Sequence, residues 1–182
     1  MKAYSGAALR MSVYASLLSA LTAVCAYIVI PVGPVPMVLQ NMFVLLAGLL
    51  LGSRWGPASV ALYLAMGLLG LPVFAGGGAG LGHLAGPTGG YLLGYLPAVF
   101  VVGLVSSARK PSMPLDLLAA VLGTLIIYAC GILWLMGITG MAPLPALSVG
   151  VLPFLLGDGV KIAVLLPAAR AIRPLLRSSL GS

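Results

Sequence analysis

Along this chain the apolar residues come in long unbroken blocks, interrupted by short clusters of glycine and proline or by single basic residues. Six blocks stand out, at roughly 12–30, 37–52, 57–71, 88–106, 115–136 and 148–168. A helix crosses the hydrocarbon of a bilayer with about 20 apolar residues, within a range of ~17–25. Each block therefore predicts one membrane-spanning helix. The second and third are short, and only Ser53-Arg54-Trp55-Gly56-Pro57 separates them. Arginine is unfavourable at mid-membrane, while Gly56 and Pro57 suit a turn and a helix start. Two short helices are expected there rather than one very long one. The predicted fold class is an all-α membrane protein, a bundle of six transmembrane helices in one integral domain over residues 1–182.

Composition removes the soluble alternatives. Of 182 residues, 62% are hydrophobic and 6% charged, against roughly a quarter charged in an ordinary globular domain. The mean hydropathy is +1.21, too high for a water-facing surface. The first block also follows Lys2 and Arg10, as a signal peptide would. At 19 residues, with no small-x-small cleavage site before Pro31, it reads as a retained first span.

The net charge of +7 changes the picture only through its placement. No basic stripe interleaves with aromatics, so no nucleic-acid partner is expected. Lys2, Arg10, Arg54, Arg109, Lys110, Arg170, Arg173 and Arg177 fall in the tails or in the even-numbered connections. The odd-numbered connections, 31–36, 72–87 and 137–147, carry no lysine or arginine. By the positive-inside rule both termini are expected in the cytoplasm.

The external side is uncharged and rich in glycine and proline. Residues 72–90 hold eight glycines in 19 positions. Irregular backbone at membrane depth survives only where protein or a water-filled cavity satisfies its amides. A loop between helices 3 and 4, folded over a cavity, is expected; a flexible linker is the alternative. The apolar Val73, Phe74, Leu81 and Leu84 argue against a linker.

Candidate chemistry is sparse. Asp158 and Lys161, at i and i+3, share one helix face in the sixth block. Counted from Ser148, Lys161 lies roughly 20 Å along the helix. An ionisable group at that depth costs at least ~2.5–3.5 kcal/mol and faces a cavity or a partner. The pair either neutralises itself within the packing, binds the polar ends of a ligand, or relays a proton. Gly157 and Gly159 flank the aspartate and leave room for something to approach. His83, the single histidine, lies in the glycine loop as a loop cap or a ligand contact. Tyr91 and Tyr95 share a face near the external boundary, as an interfacial belt or a stacking surface. Gln40 and Asn41 add two amides at the external start of the second block. Small residues at four-residue spacing mark the first block: Ala8, Ser12, Ser16 and Ala20, with Ala15, Ser19 and Ala23 alongside. Such stripes let helices approach closely in lipid, either within the bundle or against a separate membrane partner.

Cys25 and Cys130 lie in apolar runs and fit packing roles, and no spacing points to a metal or a disulfide framework. There is no Walker motif, so energy from nucleotide hydrolysis must come from another chain. HExxH, GxSxG and a serine–histidine–aspartate set are also missing. An enzyme would have to work with Asp158, Lys161 and His83 alone. No cofactor is expected.

Three segments carry a resemblance: Gly70-Leu71-Pro72-Val73-Phe74-Ala75-Gly76-Gly77; the run LAGPTGGYLLG over 84–94; and Pro153-Phe154 through Gly157-Asp158 to Lys161. Over about residues 10–170 the chain resembles the BioY family, the biotin-specific substrate-binding (S) components of energy-coupling-factor (ECF) transporters. The resemblance implies a six-helix protein of the bacterial cytoplasmic membrane that captures biotin from outside. It implies two kinds of partner on the cytoplasmic side, a transmembrane coupling protein (EcfT) and ABC-type ATPases. Binding residues carry over to the loop glycines Gly76, Gly77 and Gly78, to Thr88, Gly89, Gly90 and Tyr91, and to Asp158 and Lys161. Phe74, Leu84 and Tyr91 would suit the apolar part of biotin, with His83 and Gln40 as further contacts. Ala15, Ser19 and Ala23 are the expected docking face for the coupling protein. One departure is visible: the family pattern Pro-Val-Pro-x-Thr-Leu-Gln reads Pro34-Val35-Pro36-Met37-Val38-Leu39-Gln40 here, so a hydroxyl is lost at Val38 and Gln40 is kept. The alternatives are an S component for thiamine or riboflavin and a membrane-embedded enzyme.

Overall fold

A computed structural model describes residues 6–31, 34–107 and 112–180. Lys2, Arg109 and Lys110, and the side chain of Arg177, lie outside the described residues. Among the described residues the architecture is helical apart from one two-stranded ribbon. In order it comprises α1 (Gly6–Cys25), β1 (Val29–Ile30), β2 (Met37–Val38), α2 (Gln40–Leu68), a 3₁₀ turn (Ala75–Gly77), α3 (Gly80–Leu84), α4 (Gly89–Ser107), α5 (Met113–Thr139), α6 (Pro143–Gly150) and α7 (Leu152–Leu180). Among the described residues α1, α2, α4, α5 and α7 are long and apolar enough to cross a membrane. This is a multi-pass membrane protein.

α2 is one helix only in name. Gly52 interrupts it at φ 73° and ψ −171°, a conformation open essentially to glycine alone. There the chain doubles back. Tyr63 donates to Oε1 of Gln40 at 3.1 Å, although 23 residues of straight helix would hold them about 35 Å apart. Gly56 likewise lies against the backbone of Gly48. The two arms, 40–51 and 53–68, run about 18 and 24 Å at 1.5 Å per residue. The reversal was expected at Ser53–Pro57; it falls at Gly52, and those five residues are helical. Gly103 of α4 seats against the Gly52–Ser53 backbone, with no room for a Cβ.

Other boundaries move for local reasons. The first block was expected to stay helical to residue 30. α1 ends at Cys25, because the β-branched Val29 and Ile30 pair antiparallel with Val38 and Met37. α6 occupies the connection expected to be irregular, so α7 begins at Leu152 rather than 148, and it continues to Leu180. The glycine-rich stretch carries a 3₁₀ turn and α3.

α1 lays Ala15, Leu18, Ser19, Thr22 and Ala23 inward, and the Ser59 hydroxyl on the second arm of α2 donates to the Ala15 carbonyl at 2.7 Å. Ala15, Ser19 and Ala23, expected as a docking face, pack inside the chain. The neighbouring stripe of Ser12, Ser16 and Ala20 is exposed. Between the α2 arms, α4 and α5 the core consists of small and β-branched residues such as Ala47, Val60, Ala98, Val99 and Val102. In lipid, close van der Waals packing of this kind replaces the hydrophobic effect as the force between helices.

The ends of the chain come together. Arg10 donates to the Ser179 carbonyl, and Tyr14 and Ser179 share a hydroxyl contact of 2.6 Å. Near that end Arg173 of α7 pairs with Asp116 of α5. Arg173 is one of the charges expected in the carboxy-terminal tail, yet it reaches a carboxylate that is 1% exposed.

Candidate functional site

At the opposite end, where the β1–β2 ribbon and the 69–88 segment close over the bundle, lies a pocket of about 530 Å³, counting its open mouth. Its floor is a polar lattice built by four elements, α7, α5, α2 and β2.

α7 brings Asp158 and Lys161 to one face, as their spacing predicts. Lys161 lies nine residues into α7, about 14 Å along it, shallower than expected. All three ammonium hydrogens are engaged: with Asp158 Oδ1 at 2.7 Å, the Val38 carbonyl at 2.7 Å and Asn41 Oδ1 at 3.1 Å. The Asn41 amide donates in turn to Asp158 Oδ1 at 3.1 Å. Tyr128 of α5 donates to Asp158 Oδ2 at 2.5 Å. A carboxylate offers about four lone-pair sites, so Oδ2 keeps one acceptor position free. Asp158 is 5% exposed, and an anion so enclosed persists only with such partners. The main-chain carbonyl of Val38 makes the contact at that position, so the missing hydroxyl does not break this link.

The walls come from α2 and α4. Gln40 accepts from Tyr63 and donates to the Tyr95 hydroxyl at 2.8 Å. Tyr91 donates to the Gly150 carbonyl at 2.8 Å, tying α4 to α6. Tyr91 and Tyr95 are both buried, turned into the bundle rather than to the boundary. Apolar lining comes from Val35, Pro36, Met37, Leu92, Ile127 and Phe154.

At the mouth, Thr88 and His83 approach to 3.4 Å. The His83 ring stacks on Phe74, with centroids 5.4 Å apart. Partial burial lowers the pKa of His83 below 6.5, so the imidazole is neutral at pH 7. The loop is pinned from the turn after α1 by the bond from Gly76 N to the Ala26 carbonyl at 3.0 Å and by the Tyr27 hydroxyl on the Pro72 carbonyl.

Of the residues expected at a site, Asp158, Lys161, Tyr91, Thr88, His83 and Gln40 line the pocket. Phe74 does not; it is fully buried between Tyr63 and His83. Gly78 lies beneath the His83 ring and Gly77 against Tyr27, while Ala75 is the residue of that turn at the pocket wall. Gly89 and Gly90 serve close packing on the Leu84 carbonyl and on Trp134 of α5. Leu84 also lies outside the lining. Gly157 gives way to the Met37 thioether, and Gly159 faces open space.

Asn41, Tyr95 and Tyr128 take part more fully than their sequence signals conveyed. Tyr128 went unremarked, yet a hydroxyl amid an apolar block calls for a buried partner by the reasoning that singled out Asp158. Among the described residues no group of three metal-ligating side chains comes together.

Comparison with known proteins points to one family. The sequence profile of the BioY family matches residues 1–178. A probable biotin transporter BioY of Pyrococcus horikoshii is 43% identical over 148 residues, 81% of this chain and 86% of the relative. The biotin transporter BioY of Thermotoga maritima is 41% identical, covering 86% and 91%; that of Rhodobacter capsulatus is 43% identical, covering 89% and 90%. The crystal structure of the S-component for biotin from an ECF-type ABC transporter superposes with a TM-score of 0.87 at 29% identity, over 94% of this chain and 95% of that one.

Proposed function

The chain belongs to the BioY family, and on that footing we propose that it is a high-affinity biotin-binding S component that takes biotin up across the cytoplasmic membrane. The observation that carries the specificity is the free acceptor position on Asp158 Oδ2 at the pocket floor. Biotin's cyclic urea presents N–H donors, its thioether ring and chain are apolar, and its far end is a carboxylate. Asp158 accepts a urea N–H. Lys161, with every hydrogen engaged, holds Asp158 in place rather than reaching for the carboxylate. The bicyclic ring rests against Tyr91, Ile127 and Phe154. The carboxylate then lies at the mouth, by Thr88, neutral His83 and the amino-terminal end of α4, whose dipole favours an anion.

The doubled α2 makes six crossings out of five long helices. With both termini cytoplasmic, the pocket opens to the outside, and the Gly52 turn with exposed Arg54, the end of α4 and the start of α5 face the cytoplasm, in accord with the positive-inside rule. ECF coupling and ATPase subunits supply the energy from the cytoplasmic side. The exposed Ser12, Ser16 and Ala20 of α1 are the place for a coupling subunit to pack closely.

Equilibrium binding of labelled biotin to the purified protein, with thiamine and riboflavin as competitors, tests the reading. Biotin alone is expected to bind and to displace the label. Displacement by thiamine or riboflavin at equal concentration overturns it in favour of another vitamin.

A further inference from the structure

Three tyrosines line the pocket, and their protons are not equivalent. Tyr91 gives its hydrogen to the Gly150 carbonyl and Tyr128 gives its own to Asp158. Tyr95 instead accepts, from the Gln40 amide at 2.8 Å. Among the described residues nothing accepts the Tyr95 proton.

The Gln40 amide fixes this inequality, and burial fixes the amide. With Oε1 toward Tyr63, the run of donors is Tyr63 to Gln40 to Tyr95, and the spare proton appears at the pocket wall. With the amide turned over, Tyr95 would donate to Oε1 and the spare proton would sit on Tyr63. Tyr63 is fully buried, edge-on to Phe74 at 5.7 Å, and outside the pocket. A buried donor without an acceptor loses its solvation uncompensated, whereas one at the pocket wall meets water or ligand. The arrangement with the free proton on Tyr95 is therefore the favoured one.

Gln40 and Asn41 are sequence neighbours, one holding Tyr95 and the other holding Asp158. The pocket thus offers, from one segment of backbone, an acceptor on Asp158 and a donor on Tyr95. A cyclic urea carries the complementary pair, with an N–H bonded directly to the carbonyl carbon.

Resting on the biotin reading above, we propose that Tyr95 recognises the urea carbonyl oxygen of the ligand, and that Gln40 and Tyr63 are positioning residues that keep its proton available.

The test compares biotin with its analogue in which sulfur replaces the urea oxygen, a much weaker acceptor. Binding of both is measured to the wild type, Tyr95→Phe and Tyr63→Phe, and the affinity ratio is taken within each variant, so that it does not depend on the fraction of folded protein. Wild type is expected to prefer biotin by about tenfold, the scale of one lost hydrogen bond in an enclosed site. Tyr95→Phe is expected to bring that ratio close to one. Tyr63→Phe, which touches no ligand, frees the amide to turn and is expected to lower the ratio to between those values. A wild type that binds biotin while Tyr95→Phe keeps the full ratio overturns the role of Tyr95 and leaves the biotin reading standing. A Tyr63→Phe ratio equal to wild type overturns the positioning role. A wild type that binds neither compound overturns the biotin reading and this inference together.

Discussion

Arg173 holds Asp116 through both terminal nitrogens, each 3.0 Å from a different carboxylate oxygen, and the same Nη2 donates to the Leu49 carbonyl at 3.0 Å. The last carbonyls of a helix have no partner within it, and Leu49 lies in the last turn before the chain reverses at Gly52. One guanidinium thus joins α7 to α5 and closes the end of the first α2 arm. Removing either partner strands a buried charge, so Asp116→Asn or Arg173→Gln is expected to cost about 3 kcal/mol. Thermal unfolding in detergent checks this. The double replacement Asp116→Leu with Arg173→Met is expected to unfold closer to wild type than either single change, since no charge is then left uncompensated.

The floor of the pocket leads to a different kind of prediction. Lys161 and Asp158 share Asn41 and each other, so they act as a unit. Asp158→Asn weakens the acceptor offered to a urea N–H, and Lys161→Ala removes the cation that pairs with Asp158 and fixes its orientation. Each is expected to weaken biotin binding by more than about tenfold. The two losses are expected to be far from additive in the double variant, because groups in one network couple. Isothermal titration of the four proteins decides it, and additive losses would sink the shared role.

His83 sets a pH dependence at the mouth. Burial holds its pKa below 6.5 in the folded protein. As the pH falls through 6.5 the unfolded chain takes up the proton first, so stability declines with acidification and is fully present above that value. Melting temperatures between pH 7.5 and 5.5 are expected to drop more for wild type than for His83→Gln, whose side chain does not titrate. Equal slopes for the two proteins would contradict the assignment.

Much of this was legible in residue order because the bilayer leaves so few options. A charge inside an apolar block must have a partner, so Asp158 and Lys161 mark the pocket floor in the sequence itself. The apolar blocks likewise mark helical rods, two of which the structure joins in α2 across Gly52. What escaped were relationships that depend on helix rotation. Ala15, Ser19 and Ala23 on one side and Ser12, Ser16 and Ala20 on the other show the same spacing, and only packing against Ser59 tells inner from outer. Gly89 and Gly90 belong to the most characteristic motif yet serve α4–α5 contact, since a glycine that admits Trp134 reads the same as one that admits a ligand. Tyr128 escaped because its partner is 30 residues away on another helix.

The two faces of α1 give the last prediction. Ala23 is 8% exposed and faces the interior of the bundle, so Ala23→Leu overfills a packed site and is expected to lower the melting temperature, at a cost of ~1–3 kcal/mol. Ser16 and Ala20 lie on the exposed side, where a larger side chain meets only lipid in the isolated protein. Ser16→Trp or Ala20→Trp is therefore expected to leave the melting temperature and biotin binding unchanged. If a coupling subunit packs on that stripe, the same bulk holds the two helices apart, because close approach of backbones is the main source of association in lipid. Co-purification with the coupling and ATPase subunits is expected to fall at least about fivefold for the outer variants. Full recovery of the complex with Ala20→Trp would move the docking face away from α1.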